Sequence, residues 1–147
     1  MIAIGADHGG FEMKEQIKVY LDEKGIEYKD FGTFSNQSVD YPDYAVKVSK
    51  SIRDKECELG ILICGTGVGI GIAANKHKGI RCGIVSEPFS AKMSRVHNNA
   101  NVIAFGARVI GIETAKEIVD AFLNNEFEGD RHIKRVEKIT KIEESEK

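Results

Sequence analysis

Residues 59–76 read Leu-Gly-Ile-Leu-Ile-Cys-Gly-Thr-Gly-Val-Gly-Ile-Gly-Ile-Ala-Ala-Asn-Lys, and this stretch limits the fold more than any other. A short, branched apolar run ends at Cys64, and every second residue from Gly65 to Gly71 is glycine. The run has the length and composition of a buried strand, and the residues after the glycines read as a helix. A helix N-terminus carries partial positive charge and unpaired N–H groups, which hold anions and favour a thiolate over a thiol. Glycines cost roughly 0.5–1 kcal/mol each where they lie inside an element. Four of them in seven residues therefore suggest backbone that must come close to a ligand. This stretch is expected to form the active site, with the simpler reading being a small buried cysteine at a strand end.

The rest of the chain alternates strand and helix. Ile2–Ala6 reads as a strand, and Met13, Ile17, Tyr20 and Leu21 then share one helical face ending near Gly25. Ile26–Phe31 is a second strand, and a helix after Pro42 carries Tyr44, Val48 and Ile52 on one side. Leu59–Cys64 and Val68–Lys76 form the third pair, and Ile80–Val85 the fourth strand. Pro88 suits a helix start, followed by Phe89, Met93, Val96 and His97 at helical spacing. Asn101–Phe105, Ile112–Leu123 and a last helix marked by Ile133, Val136, Ile139 and Thr140 complete the series. The expected fold is a single-domain, three-layer α/β/α Rossmann-like fold whose five-stranded parallel sheet has the order 2-1-3-4-5. In that order a crevice opens between the C-terminal ends of strands 1 and 3. Asp7-His8-Gly9-Gly10 and the Cys64–Gly69 loop should meet there.

Composition narrows the partners. The 147 residues are 41% hydrophobic and 30% charged, with a formal net charge of −2, which describes a globular chain with no call for nucleic acid. No basic n-region precedes Met-Ile-Ala-Ile-Gly-Ala-Asp, so no signal peptide is expected. The longest uncharged stretch, Leu59 to Asn75, is broken by glycines and suits no membrane span. Cysteines 57, 64 and 82 show neither disulfide nor zinc spacing, which fits a reducing, cytoplasmic setting.

Other candidates are weaker one by one. Asp7 suits a helix cap, yet His8 beside it faces the expected thiol loop. His97 lies near a helix end and is followed by Asn98-Asn99, a polar terminus. His77, among lysines, reads as surface. Arg131-His132 and Arg135 lie within one turn, where guanidinium groups suit phosphate. Two rivals compete for the glycine loop. Gly69-x-Gly71-x-x-Ala74, with Glu87 after the next strand, satisfies a relaxed dinucleotide fingerprint. It sits on the third strand, however, and little chain remains for a substrate domain. A cysteine phosphatase needs an arginine about where Ile70 stands, and the loop holds no cation.

Together these residues resemble the type B ribose-5-phosphate isomerases and the related galactose- and allose-6-phosphate isomerases. The matching segments are Gly5-Ala6-Asp7-His8-Gly9-Gly10-Phe11, Asp40-Tyr41-Pro42, Ile63-Cys64-Gly65-Thr66-Gly67-Val68-Gly69, Ser86-Glu87-Pro88, His97-Asn98-Asn99, Ala104-Phe105-Gly106-Ala107-Arg108, and Arg131-His132 with Arg135. They span essentially the whole chain. In the family the position of Asn99 is often Asp. Some relatives replace the cysteine by serine and use a glutamate on the following loop; this chain keeps Cys64 and has no acid between Gly65 and Asn75.

The resemblance implies an aldose–ketose isomerase without metal or other cofactor, interconverting ribose 5-phosphate and ribulose 5-phosphate through a cis-enediolate in the non-oxidative pentose phosphate pathway. By resemblance Cys64 is the base, the amides of Gly65, Gly67, Val68 and Gly69 form the anion hole, and His97, helped by Asp7, opens the sugar ring. Thr66 and Asp7 move protons between the two oxygens. His8, Arg108, Arg131 and Arg135 clamp the phosphate, and Tyr41 and Asn98 hold hydroxyls. The family also implies a homodimer or dimer of dimers with shared sites, the C-terminal helix at about 129–145 packing on the partner. Allose- or galactose-6-phosphate isomerase, a catalytically silent subunit of a paired isomerase and a nucleotide-binding module without isomerase chemistry remain the alternatives.

Overall fold

The computed structural model describes residues 1–146. Its elements are β1 (Ile2–Ala6), α1 (Phe11–Glu23), β2 (Tyr28–Asp30), α2 (Tyr41–Arg53), β3 (Leu59–Cys64), α3 (Val68–Asn75), β4 (Cys82–Ile84), α4 (Pro88–Val96), β5 (Val102–Gly106), α5 (Ile112–Leu123) and α6 (Arg131–Ser145). The alternating side chains of the central strands sort the chain into layers. Ile61, Ile63, Ile103 and Phe105 pack against α1, α4 and α5, while Leu62, Cys64, Val102 and Ala104 pack against α2 and α3. All strand pairings are parallel. No helix among the described residues is long and apolar enough to cross a membrane.

The strand order corrects the expectation. The sheet runs β2-β1-β3-β5-β4, so strands 4 and 5 exchange places relative to 2-1-3-4-5. Burial explains the exchange. Every residue of β5 is buried, as a strand with neighbours on both sides requires, whereas β4 has three residues and leaves Ile84 40% exposed. The expected strands Ile26–Phe31 and Ile80–Val85 contract to Tyr28–Asp30 and Cys82–Ile84, both at sheet edges.

A charge cluster ties β2 to α1. Lys14 is fully buried, and its Nζ lies 2.5 Å from Asp30 and 3.3 Å from Glu15. Lys18 joins at 2.8 Å from the same Asp30 carboxylate. Burial tends to raise the Asp30 carboxyl, but hydrogen bonds from Lys14, Lys18 and the Gly32 amide outweigh it and hold the group below its ordinary value. A depressed folded value means that this carboxylate contributes its stability above the unfolded value, about pH 4, and loses it as pH falls through the folded one. Removing Asp30 leaves the buried Lys14 ammonium with only the longer Glu15 contact. Asp30→Ala is therefore expected to cost about 3 kcal/mol in urea denaturation at pH 7. The gap to the wild-type chain should narrow below about pH 4.

Candidate active site

Three strand ends converge. β1 ends at Ala6 before the Asp7–Gly10 turn, β3 at Cys64, and β5 at Gly106. Because β5 lies directly against β3, Cys64 pairs with Gly106. The amides of Ala107 and Arg108 then donate to the carbonyls of Cys64 (2.9 Å) and Gly65 (3.0 Å). A Cβ placed on Gly65 would meet Arg108 Nη1 at 3.2 Å, and one on Gly9 would meet the Gly65 nitrogen at 3.3 Å and Arg108 Nη2 at 3.6 Å. The Asp7 turn, the thiol loop and the Arg108 guanidinium are thus in contact. With the order 2-1-3-4-5, another strand would have kept Arg108 from this place.

The glycines have distinct duties. Gly67 adopts φ +81°, and its backbone lies so close to Phe105 that a Cβ would come within 2.6 Å. At Gly69 a Cβ would strike the Tyr41 ring at 2.7 Å, and at Gly71 it would strike Ile84 at 2.4 Å. Gly69 and Gly71 therefore admit neighbouring side chains. Glu87, the other half of the dinucleotide fingerprint, caps α4 by accepting from the Ser90 amide at 3.0 and 3.1 Å. Both halves of that pattern have duties inside the fold.

Cys64 is buried, with Sγ 3.1 Å from the Gly67 amide, which donates to it. The Val68 amide donates to Thr66 Oγ1 at 3.2 Å. The Gly67 and Val68 amides, both expected in the anion hole, are thus engaged within the loop. Among the described residues, the amides of Gly65, Thr66, Gly69 and Ile70 have no protein acceptor. The last two belong to the open first turn of α3. The other two thiols differ. Burial pushes Cys82 up to about 12, and Cys57 is raised by burial as well.

Asp7 is buried, and its Oδ1 accepts from the Gly10 amide at 3.1 Å; it closes the turn before α1, whose N-cap is Gly10 without a side-chain cap. His8 Nδ1 accepts from the Val39 amide at 3.1 Å, which in a neutral ring leaves the proton on Nε2 as a donor. Tyr41, 41% exposed, opens α2 at the same rim.

His97, Asn98, Arg131 and Arg135 lie elsewhere. Each connecting helix runs back against parallel strands, so the end of α4 lies at the N-terminal rim, opposite Cys64. The Asn101 amide donates to Arg81 and the Gly60 amide to Asn101, which ties the segment after His97 to the beginnings of β3, β4 and β5. The Glu128 amide donates to the Val96 carbonyl at 3.0 Å, bringing the start of α6 to the same place. There the His97 and His132 rings stack, centroids 4.2 Å apart and 16° from parallel. Burial, the neighbouring His97 and Arg131 hold His132 below its ordinary value. Arg131 and Arg135 are exposed. In the sequence His132 stands out only beside Arg131 and Arg135, and Glu128 not at all. A histidine flanked by arginines at the start of a helix was the available signal.

A model of the Ribose/Galactose Isomerase family matches residues 2–139. The chain is 55% identical over 143 residues to ribose-5-phosphate isomerase B of Escherichia coli, covering 97% of this chain and 96% of the relative. It is 46% identical over 147 residues to D-erythrulose-4-phosphate isomerase of Pectobacterium atrosepticum, covering 99% and 97%. The solved structure of ribose-5-phosphate isomerase B from Clostridium thermocellum superposes with a TM-score of 0.96 at 51% identity, covering 97% of each chain. Extended across nearly the full length of both partners, these likenesses place the chain in the Ribose/Galactose Isomerase family.

Proposed function

We propose that the chain interconverts ribose 5-phosphate and ribulose 5-phosphate, the isomerisation of the non-oxidative pentose phosphate pathway, with Cys64 as the proton-transferring base. One observation carries the reading: a buried thiol whose sulfur accepts an amide hydrogen bond, ringed by amides without acceptors. An N–H directed at sulfur stabilises negative charge there. The thiolate takes the C2 proton of the open-chain aldose and returns it to C1, while a hydroxyl proton passes from O2 to O1. Negative charge that develops on the oxygens in between falls to the free amides of Gly65, Thr66, Gly69 and Ile70. Thr66 Oγ1 already accepts from Val68, which leaves its O–H to donate to a substrate oxygen. Asp7, beside it in the crevice, serves the same proton movement. Arg108 and Nε2 of His8 suit the sugar phosphate, and Tyr41 suits a hydroxyl. A site that depends on a free thiol fits a reducing, cytoplasmic setting.

A single chain carries half of the constellation. His97 for ring opening, Asn98 for a hydroxyl, and Arg131 and Arg135 for the phosphate occupy the far rim, so a second copy must bring them to Cys64. Helix α6 supports this arrangement. Just two of its residues, His132 and Val136, are buried, while Ile133, Ile139 and Ile142 are 47%, 45% and 64% exposed. An apolar face of that kind suits a homodimer, or a dimer of dimers, in which α6 packs on the partner.

With EDTA present, Cys64→Ala should lower kcat for ribose 5-phosphate by about 10²–10⁴-fold or more with little change in folding. Near-normal turnover would remove Cys64 as the base. Shared sites have their own test. Cys64→Ala and His97→Asn chains, each inactive, are unfolded together and refolded. Half of the dimers are then mixed and hold one intact site of two, so activity should return to about a quarter of wild type. No recovery would mean that each chain builds its own site.

A further inference from the structure

Two imidazoles and a carboxylate converge where the end of α4 meets the start of α6. His97, Glu128 and His132 each offer one ligand atom, and these atoms lie within 4.8 Å of one another. Three points so spaced share a centre no farther than 4.8/√3, about 2.8 Å, from each. Zinc bonds to nitrogen and carboxylate oxygen at about 2.0–2.2 Å, so closing the set asks each ligand atom to move by under 1 Å and one imidazole to turn out of the stack until both in-plane lone pairs meet the ion. A second observation points to a ligand. His132 is 95% buried, at 5% exposure, and its Nε2 has no hydrogen-bond partner. Buried imidazole nitrogens are ordinarily paired.

We propose that His97, Glu128 and His132 form a regulatory site for a zinc-class divalent cation, and that occupancy disables His97. Two nitrogens and one oxygen suit zinc, copper or nickel, while calcium and magnesium require oxygen ligands. Three protein ligands leave a fourth position for water, as in exchangeable sites. The segment that brings the ligands together is held by the Glu128 amide on Val96, so the spacing belongs to the fold. Arg131 and Arg135 stand nearby and repel a cation, while Glu128 offsets one charge; the outcome is reversible binding instead of a permanent structural ion. The bound ion consumes the His97 lone pair needed to accept or deliver the ring proton. This regulatory half rests on the reading of His97 as the ring-opening group; the metal site does not.

The binding test uses the chain without sugar phosphate, dialysed against zinc chloride. Wild type should take up one ion per chain at this site, with affinity about tenfold or more weaker in Glu128→Gln and in His132→Asn. Glu128 is exposed, so its variant should keep the fold even if the His132 variant does not. Equal affinity in wild type and Glu128→Gln overturns the site. The activity test compares directions. Ribulose 5-phosphate has no ring to open, so zinc should inhibit the conversion of ribose 5-phosphate several-fold more strongly than the reverse reaction. Glu128→Gln should match wild type without zinc and require about tenfold more of it for the same inhibition. Equal inhibition in both directions overturns the switch, and inhibition indifferent to Glu128→Gln assigns the ion to Cys64. A chain that binds zinc through Glu128 yet isomerises no sugar phosphate overturns the functional reading and leaves the metal site intact.

Discussion

Everything at the thiol depends on β5 lying directly against β3. That pairing sets Gly106 beside Cys64, and the chain leaving β5 donates the Ala107 and Arg108 amides to the carbonyls of Cys64 and Gly65. The loop after Cys64 is thereby held from one side by backbone bonds while its own amides remain free on the other. Arg108 comes to the thiol as a consequence of strand order. A sheet with β4 in that position would have the same residues and a different site.

The same junction explains why the loop is rich in glycine. Gly67 takes a left-handed conformation against Phe105, and Gly106 returns the approach, since a Cβ there would come within 2.5 Å of the Thr66 backbone. Two glycines from different segments thus press the thiol loop onto the end of β5. Gly69 and Gly71 make room for Tyr41 and Ile84. The entropic cost of the four glycines serves close packing as much as ligand approach. The free amides that result are fewer than glycine spacing suggests, because Cys64 and Thr66 themselves consume two.

Elements with strong local signals were legible in the sequence. β1, β3 and α5 lie where their apolar patterns put them, and the convergence of Asp7 with Cys64 follows from β1 and β3 being neighbours. The order of β4 and β5 was not legible. Periodicity reports that a strand is apolar, but the neighbour it chooses depends on packing across the sheet. The signal was faint: Arg81 and Gly83 interrupt the fourth strand, while Val102 to Phe105 is unbroken. At the site, Cys64 and its helix were visible because strand, thiol and turn are contiguous. The His97–His132 stack was not, because residues 35 positions apart meet only through the Glu128–Val96 bond.

The separation of the two rims has a chemical consequence. A thiolate that removes a carbon-bound proton needs neighbours that stabilise negative charge on oxygen, whereas ring opening and phosphate binding call for an imidazole and guanidinium groups. On one chain these sets stand at opposite ends of the sheet, so on the proposed roles neither end alone would complete the reaction. If a second copy joins them, as proposed, catalysis depends on assembly. It also leaves His97, Glu128 and His132 clustered on each chain by the fold of that chain alone. On the shared-site reading, a cation held there would act by occupying His97.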